Sequence, residues 1–514
     1  MATTATAAVG ASSASKHPVP LIINGRKVYS EDTFDVTSPG SGRVIHQSSN
    51  ANVTHAQDAI AAGAEAFKSW SQSTPAHRRN IFLKAADVLE DRSAEMKEYM
   101  ISETGSDDTW ADFNLFVAKE CLLDCAGRIS GIEGRIPSPM DPSMGALIVK
   151  EPYGVVLAIS PWYVIRTRAP HLRGERVAGC NVSSSLTSYR NAPYILGFRA
   201  VIWAIAASNT VVFKGSELSP RALLAVATVL QDAGLPDGVL NYITCDRNNA
   251  SAVTKTLVES PAIKKINFTG STAVGRIISE LAGANLKPVL LELGGKAPAI
   301  VCEDADLEVA AKQCVLGAFM FAGQICMSTE RIIVHKSVRS ALVEKMTEWA
   351  ESIFPSLGEA PVLINDQSAV KNRRLVRDAL AKGASIACGN VNASESTSSR
   401  MRPIVINNVG PGMEVYMEES FGPTVSIVEF ETEEEALRIA NDTEYGLSAA
   451  VFSRDLRKAL RMARCIETGA VHINRMTVHD ETALPHGGAK SSGFGRFATG
   501  MDEWVRTKNI TYDI

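Results

Sequence analysis

Along most of the chain, segments with a helical apolar period alternate with short apolar strands. "AQDAIAAGAEAFKSW" (56–70) and "HRRNIFLKAADVLEDRSAEMKEYMISETG" (77–105) place apolar residues on one helical face, which predicts amphipathic helices. "TVVFKGSELSPRALLAVATVLQDAGLPDGVLNYIT" (210–244) reads as strand, turn, helix, glycine stop, strand. "IKKINFTGSTAVGRIISELAG" (263–283) repeats strand, glycine turn, helix, and "PVLLELGGKAPAIVCEDADLEVAAKQCVLGAFM" (288–320) does so again. Alternating βαβ units predict an α/β fold with a mainly parallel sheet and helices on both faces. Ligands of such sheets sit beyond the C-terminal strand ends, so the loops after Trp162, Phe213 and Phe268 should converge on one crevice. The alternating "EWVRTKNITYDI" (503–514) predicts a polar strand suited to pairing as an edge, with another subunit as the expected partner.

One stretch breaks the alternation. "GVVLAISPW" (154–162) reads as a buried strand reaching its end, and "NAPYILGFRAVIWAIAA" (191–207) as a helix start. Between them, residues 163–190 show neither period and are Ser-rich, with five arginines and one glutamate.

Composition narrows the class. A chain of 514 residues exceeds what one hydrophobic core usually serves, so two or three domains are expected. With 45% hydrophobic and 21% charged residues it has the make-up of an ordinary globular protein. The net charge is −4; the 163–190 segment contributes +4, leaving −8 for the rest, and neither value favours nucleic acid or an anionic membrane. Nine cysteines without CxxC spacing or a Cys/His pattern predict no disulfide framework and no metal site, and fit a reducing, cytoplasmic setting. Residues 1–18 lack an apolar core and predict a disordered tail, not a signal peptide. The longest apolar run is broken by Arg199, so no membrane span is expected.

Several residues carry possible chemistry. Cys326, in "FAGQICMSTE" (321–330), follows a glycine turn among polar neighbours, which admits an accessible thiolate beside the usual reading of a lone cysteine as a small buried hydrophobe. Glu292, in "LELGGKAP" (291–298), sits between leucines; burial should raise its pKa toward that of a general base, unless Lys296 pairs with it. Lys214 and Glu217, in "FKGSE", can hold a ribose diol or merely open a helix. "FTGSTAVG" (268–275) offers a helix N-terminus to a diphosphate, without GxGxxG spacing. Asn191 reads either as an N-cap ahead of Pro193 or as an amide aimed at a ligand.

Taken together and in this order, these stretches resemble the aldehyde dehydrogenase superfamily from about residue 20 onward. "LELGGK" and "GQICMS" are similar to the family's glutamate and cysteine signatures, "FKGSE" to its adenosine-ribose site and "FTGSTAVG" to its pyrophosphate turn. "EESFGP" (418–423) resembles the motif that holds the nicotinamide ribose. "HINRMTVHDETALPHGGAKSSGFGR" (472–496) looks like the salicylaldehyde and vanillin dehydrogenase branch. The resemblance implies NAD-dependent oxidation of an aldehyde, aromatic in this branch. Cys326 is the implied nucleophile, Glu292 the base that activates water, and Asn191 an oxyanion donor. Implied NAD contacts are Ile159, Pro161, Trp162, Lys214, Glu217, Gly270, Ser271, Gly275, Leu293, Glu419 and Phe421, with Glu217 repelling a 2′-phosphate. The implied organisation is a Rossmann-like NAD-binding domain (19–134 and 153–290) and a catalytic α/β domain (291–484). A hairpin element (135–152 and 500–514) would support a homodimer or homotetramer.

Against that family, Trp162 and Asn191 match a contiguous Pro-Trp-Asn, so 163–190 is an insertion of 190 − 163 + 1 = 28 residues. Removing it restores "ISPWNAPYILGFRA" without a seam. Trp-Tyr-Val can be encoded TGG TAC GTC, a splice donor, and Tyr189-Arg190 as TAC AGG, an acceptor. The segment therefore reads as a translated intron, which would make the chain a catalytically impaired NAD-binding isoform. The rival reading is a genuine lid or regulatory loop.

Overall fold

The computed structural model describes residues 17–162, 191–355, 358–497 and 500–514. The expected tail (1–18) lies outside the described residues except at 17 and 18, and the 163–190 segment lies outside them entirely.

Two seven-stranded sheets organise the molecule. The first runs in the order Val289–Glu292, Ile263–Gly270, Val155–Trp162, Thr210–Gly215, Leu240–Thr244, Leu21–Ile23, Arg26–Val28. Its first five strands are parallel, and the last two form an antiparallel edge. Thr210–Gly215 and Leu240–Thr244 are buried at every position, as a parallel strand covered on both faces must be. Apart from Arg199, helix Pro193–Ala206 is apolar on all sides, and it is buried along its whole length, so it forms the core rather than lying on it. Val155–Trp162 lies between Ile263–Gly270 and Thr210–Gly215, so the three ends expected to converge share one edge of the sheet.

The second sheet runs Ser385–Cys388, Ile404–Asn407, Thr424–Phe430, Thr329–His335, Ala297–Val301, Ser448–Phe452, Ala470–Ile473. It is parallel except at the Ser385–Cys388 edge.

Three expectations need correction. The 288–320 stretch is not one strand–turn–helix unit: Val289–Glu292 closes the first sheet, and Ala297–Val301 is central to the second. Both runs are apolar, and periodicity carries no information about which sheet a strand joins. The 77–105 helix breaks at Arg92 into Pro75–Asp91 and Ser93–Thr104, where Arg92 pairs with Asp232 and Glu95. The C-terminal strand Val505–Asp513 pairs within its own chain, antiparallel to Met144–Pro152, in an unbroken register from Val505↔Pro152 to Asp513↔Met144. The partner strand lies far back in the sequence, with Glu151 and Lys508 357 residues apart, and local patterning carries no sign of a pairing at that distance.

Among the described residues no helix is long and apolar enough to cross a membrane. Eight cysteines are free among them.

Candidate active site

The site forms where the chain crosses between sheets. Glu292 ends a strand of the first sheet, Leu293 follows it, and residues 293–296 lead into the second sheet. Gly295 allows the close approach here, because a Cβ on it would lie 2.1 Å from the Cys326 carbonyl oxygen. Cys326 sits in a tight turn before strand Thr329–His335, where Ser328 N donates to Ile325 O at 2.8 Å. Ahead of it Phe321, Ala322 and Gly323 all have positive φ (46°, 55° and 69°), which swings the chain sharply into the turn. The Thr477 hydroxyl donates to Met327 O at 2.6 Å and fixes the far side.

The thiol differs from the accessible thiolate that the sequence admits. Cys326 is 6% exposed, and its pKa stands well above the ordinary thiol value. Burial is the main cause, and the negative charge of Glu292 beside it adds to the effect. The polar neighbours in its sequence face other partners, which is why they gave the wrong impression. Glu292 is 1% exposed, and neither carboxylate oxygen makes a hydrogen bond among the described residues. The Lys296 alternative is not realised, because Lys296 Nζ pairs with Glu330 Oε2 at 2.6 Å.

Glu330 is instead saturated. Besides Lys296 it accepts from Ser420 N (2.9 Å), the Ser420 hydroxyl (2.9 Å) and Phe421 N (3.0 Å). These bonds clamp the 418–423 loop against the cysteine turn. Glu419 then accepts from Gly295 N at 2.8 Å, and burial pushes its carboxyl up to about 8. Phe421 adopts φ 47° and is buried against Ile364 and Leu218.

Asn191 is buried, and its backbone carbonyl accepts from Trp110 Nε1 at 2.7 Å. It is not the helix cap: Ala192 occupies that position, Pro193 opens the helix, and no side chain caps it. Asn191 Oδ1 has no hydrogen-bond partner among the described residues, so the side chain is not spent on capping. Trp110 also stacks on Phe321 (ring centroids 5.6 Å apart, planes 13° apart) and on Phe113 (5.4 Å, 26°). This aromatic wall joins helix Asp108–Arg128 to the cysteine turn.

The remaining predicted residues line the shared edge of the first sheet. Ile159 is buried and pairs with Lys214 and Phe268; the strand continues through Pro161 to Trp162, which pairs with Gly270. Lys214 and Glu217 are both buried, so they do not form a solvated helix start; the next helix begins only at Pro220. Glu217 lies 3.5 Å from Arg247 Nε. Ser271 caps helix Thr272–Ala284 by accepting from Val274 N. A Cβ on Gly275 would come within 2.6 Å of the Leu293 side chain, so this glycine seats the helix on the crossing segment.

An adenine dinucleotide fits these residues. The buried hydroxyls of Ser160 and Ser219 near two strand ends have no hydrogen-bond partner among the described residues. A polar ligand at that edge would satisfy them. The 13-residue helix opening at Thr272 presents a positive dipole end in the same place.

Sequence reasoning missed Trp110, the clamping role of Glu330, and a group behind Glu292. His486 Nε2 lies 3.6 Å from Glu292 Oε1, and His486 Nδ1 lies 3.8 Å from Asp480 Oδ1. Asp480 in turn bonds Arg199. Burial opposes the charge on Asp480, but Arg199 and His486 outweigh it and hold the carboxyl below its ordinary range.

Comparison with known proteins agrees with this geometry. The model of the aldehyde dehydrogenase family matches residues 27–166 and 176–510. A vanillin dehydrogenase of Pseudomonas sp. (strain HR199) is 42% identical over 488 residues, covering 94% of each chain. A salicylaldehyde dehydrogenase of Pseudomonas putida is 37% identical, covering 96% of this chain and 98% of that one. The crystal structure of a salicylaldehyde dehydrogenase from Pseudomonas putida G7 complexed with salicylaldehyde superposes with a TM-score of 0.88 at 36% identity. It covers 97% of this chain and 98% of the other.

Proposed function

This chain belongs to the aldehyde dehydrogenase family and is an aldehyde-oxidising oxidoreductase, and from that premise we propose that it converts an aromatic aldehyde to its acid through a thioester on Cys326. The observation that carries the reading is the buried Cys326 thiol beside a Glu292 carboxylate without hydrogen bonds, next to a stacked wall of Trp110, Phe113 and Phe321.

A thiol held neutral by burial needs a base before it can attack. Glu292 is the adjacent one, so it takes the Cys326 proton as sulfur bonds to the aldehyde carbon. The Asn191 amide and the Cys326 backbone N–H then hold the developing oxyanion. The aromatic wall supplies a flat apolar surface for a ring, as offset stacking requires.

NAD, when bound, supplies the hydride acceptor. Lys214 and Glu217 would hold its adenosine ribose, and Gly270, Ser271 and Gly275, at the start of helix Thr272–Ala284, would hold its pyrophosphate. Ile159, Pro161, Trp162 and Leu293 border the nucleotide. Glu419 and Phe421 hold the second ribose. Glu217 disfavours a 2′-phosphate, although Arg247 at 3.5 Å offsets part of its charge. Glu292 finally removes a proton from water as its oxygen attacks the thioester, releasing the acid.

The domain reading follows the sheets: a nucleotide-binding unit on the first and a catalytic unit on the second. The paired strands Met144–Pro152 and Val505–Asp513 form the oligomerisation element of a cytoplasmic dimer or tetramer. The second reading is an impaired isoform; the family match breaks only between 166 and 176 and resumes inside the 163–190 segment, so it lends that reading no support.

One experiment addresses both readings: NADH formation from salicylaldehyde and vanillin by the full chain, by a Δ163–190 variant and by Cys326→Ala. Turnover by the full chain that is lost in Cys326→Ala supports the enzyme reading. Turnover only by the shortened chain supports the impaired isoform. Activity surviving in Cys326→Ala would remove the cysteine assignment.

A further inference from the structure

Resting on the reading of Glu292 as the site's base, the geometry points to His486 as the group that clears its proton between the two halves of the reaction. We infer that His486 Nε2 receives the proton of Glu292, with Asp480 and Arg199 holding the ring.

The need arises from counting protons. Glu292 takes one proton from the Cys326 thiol and must take another from water in the same cycle. A carboxyl that keeps the first proton cannot accept the second. The structure buries Glu292 almost completely, so its proton has no open surface to bulk solvent, and the single water of the second half-reaction needs the carboxyl already deprotonated.

The geometry supplies a receiver. His486 is 9% exposed, and its backbone is locked by two bonds to Phe497, with His486 N donating to Phe497 O (3.0 Å) and Phe497 N donating back (2.8 Å). Its Nδ1 faces the ionised Asp480, which places the proton of the neutral ring on Nδ1. Nε2 is then a bare lone pair. It faces Glu292 Oε1 at 3.6 Å, and both atoms lack a hydrogen-bond partner among the described residues. Two buried acceptors facing each other without a proton would repel; one shared proton makes the pair a hydrogen bond. The separation is too short for an intervening water. Such contacts are commonly long before substrate binds.

The transfer balances. The Glu292 O–H bond breaks and an Nε2–H bond forms, leaving a carboxylate and an imidazolium. Asp480 offsets the new positive charge, and Arg199 keeps Asp480 ionised and oriented. The ring returns its proton to water when the acid leaves. Among the described residues, the charged groups paired with the ring are Glu292 from the first sheet and Asp480 from the loop after strand Ala470–Ile473 of the second, with Arg199 from helix Pro193–Ala206 behind Asp480. Cys326 lies beyond Glu292, and Cys121 and His479 lie beyond Arg199 and Asp480.

His486 is thus a positioning and relay residue acting through Glu292. The test uses p-nitrophenyl acetate, an activated ester that acylates a reactive thiol without hydride transfer or nucleotide. The full chain is compared with His486→Gln, which keeps an N–H donor but accepts no proton, and with His486→Phe. The expected result is a p-nitrophenol burst within twofold of the unaltered chain and a steady-state rate about tenfold or more lower in both variants. Adding His486→Gln to Glu292→Gln should cost nothing further, because the histidine acts only through the glutamate. The relay is overturned if steady-state turnover stays within twofold in both variants, or if burst and turnover fall together, which marks a purely structural role. No burst in either the unaltered chain or the Δ163–190 chain would remove the cysteine reading itself, and the relay with it.

Discussion

Glu292 and Glu330 are both buried carboxylates on strands that flank the cysteine turn, and the fold treats them oppositely. Glu330 receives a lysine, two backbone amides and a hydroxyl. Glu292 receives no hydrogen bond among the described residues. Burying a carboxylate is costly, and a stable structure offsets the cost with partners, as it does at Glu330. Where the offset is missing, the lone pairs are free for a proton. The comparison separates a residue that holds the site together from one that works in it.

The sharpest way to break this contrast is Glu292→Gln. It should lower acid formation by roughly 10²–10⁴-fold, the usual worth of a general base, while leaving the unfolding free energy nearly unchanged. A variant that lost stability instead of turnover would show Glu292 to be structural. Glu330→Gln should do the reverse. It strands Lys296 as a buried unpaired charge and should cost about 3–5 kcal/mol in denaturant unfolding. Its folded fraction should keep a burst at Cys326.

Glu419 offers the smallest and most graded test. Its folded pKa of about 8 lies above the ordinary 4.5, so the folded chain binds a proton there that the unfolded chain has released. That contribution to stability is complete below about pH 4.5 and is lost as pH rises through about 8. Between about pH 4.5 and pH 8 the Tm of the unaltered chain should fall relative to that of Glu419→Gln. Parallel Tm curves would mean that the carboxylate is paired better than its burial indicates.

Much of this was legible in the sequence. The strand–helix units at 210–244 and 263–283 carry clean periods and turn signals, and they fold as written. Cys326 and Glu292 were legible because each stands out locally, one in a turn and one in an apolar strand. What stayed hidden depends on distance along the chain. Arg199 and Asp480 are 281 residues apart, and their meeting leaves no trace in local periodicity. His486 and Asp480 lay inside a quoted motif, yet nothing in it says that a histidine ring turns toward Glu292. The thiol was misjudged because polar neighbours in sequence are not neighbours in space: Ser328 donates back to the Gly323 carbonyl rather than wetting the sulfur. Nothing local to Trp110 marks its indole as the group that holds the Asn191 carbonyl, because the two residues meet only in the fold.

The ladder between Met144–Pro152 and Val505–Asp513 sets a timetable for synthesis. Lys508 and Glu151, which pair across it, are 357 residues apart. At about 5–20 residues per second, a ribosome needs roughly 20–70 s to cover that interval. Throughout it the earlier strand has left the tunnel with its amides and carbonyls unmatched. A bare edge of this kind recruits other strands, including those of neighbouring nascent chains. The cell must therefore shelter this strand for most of a minute on every copy made, and slower decoding downstream of it would lengthen that exposure.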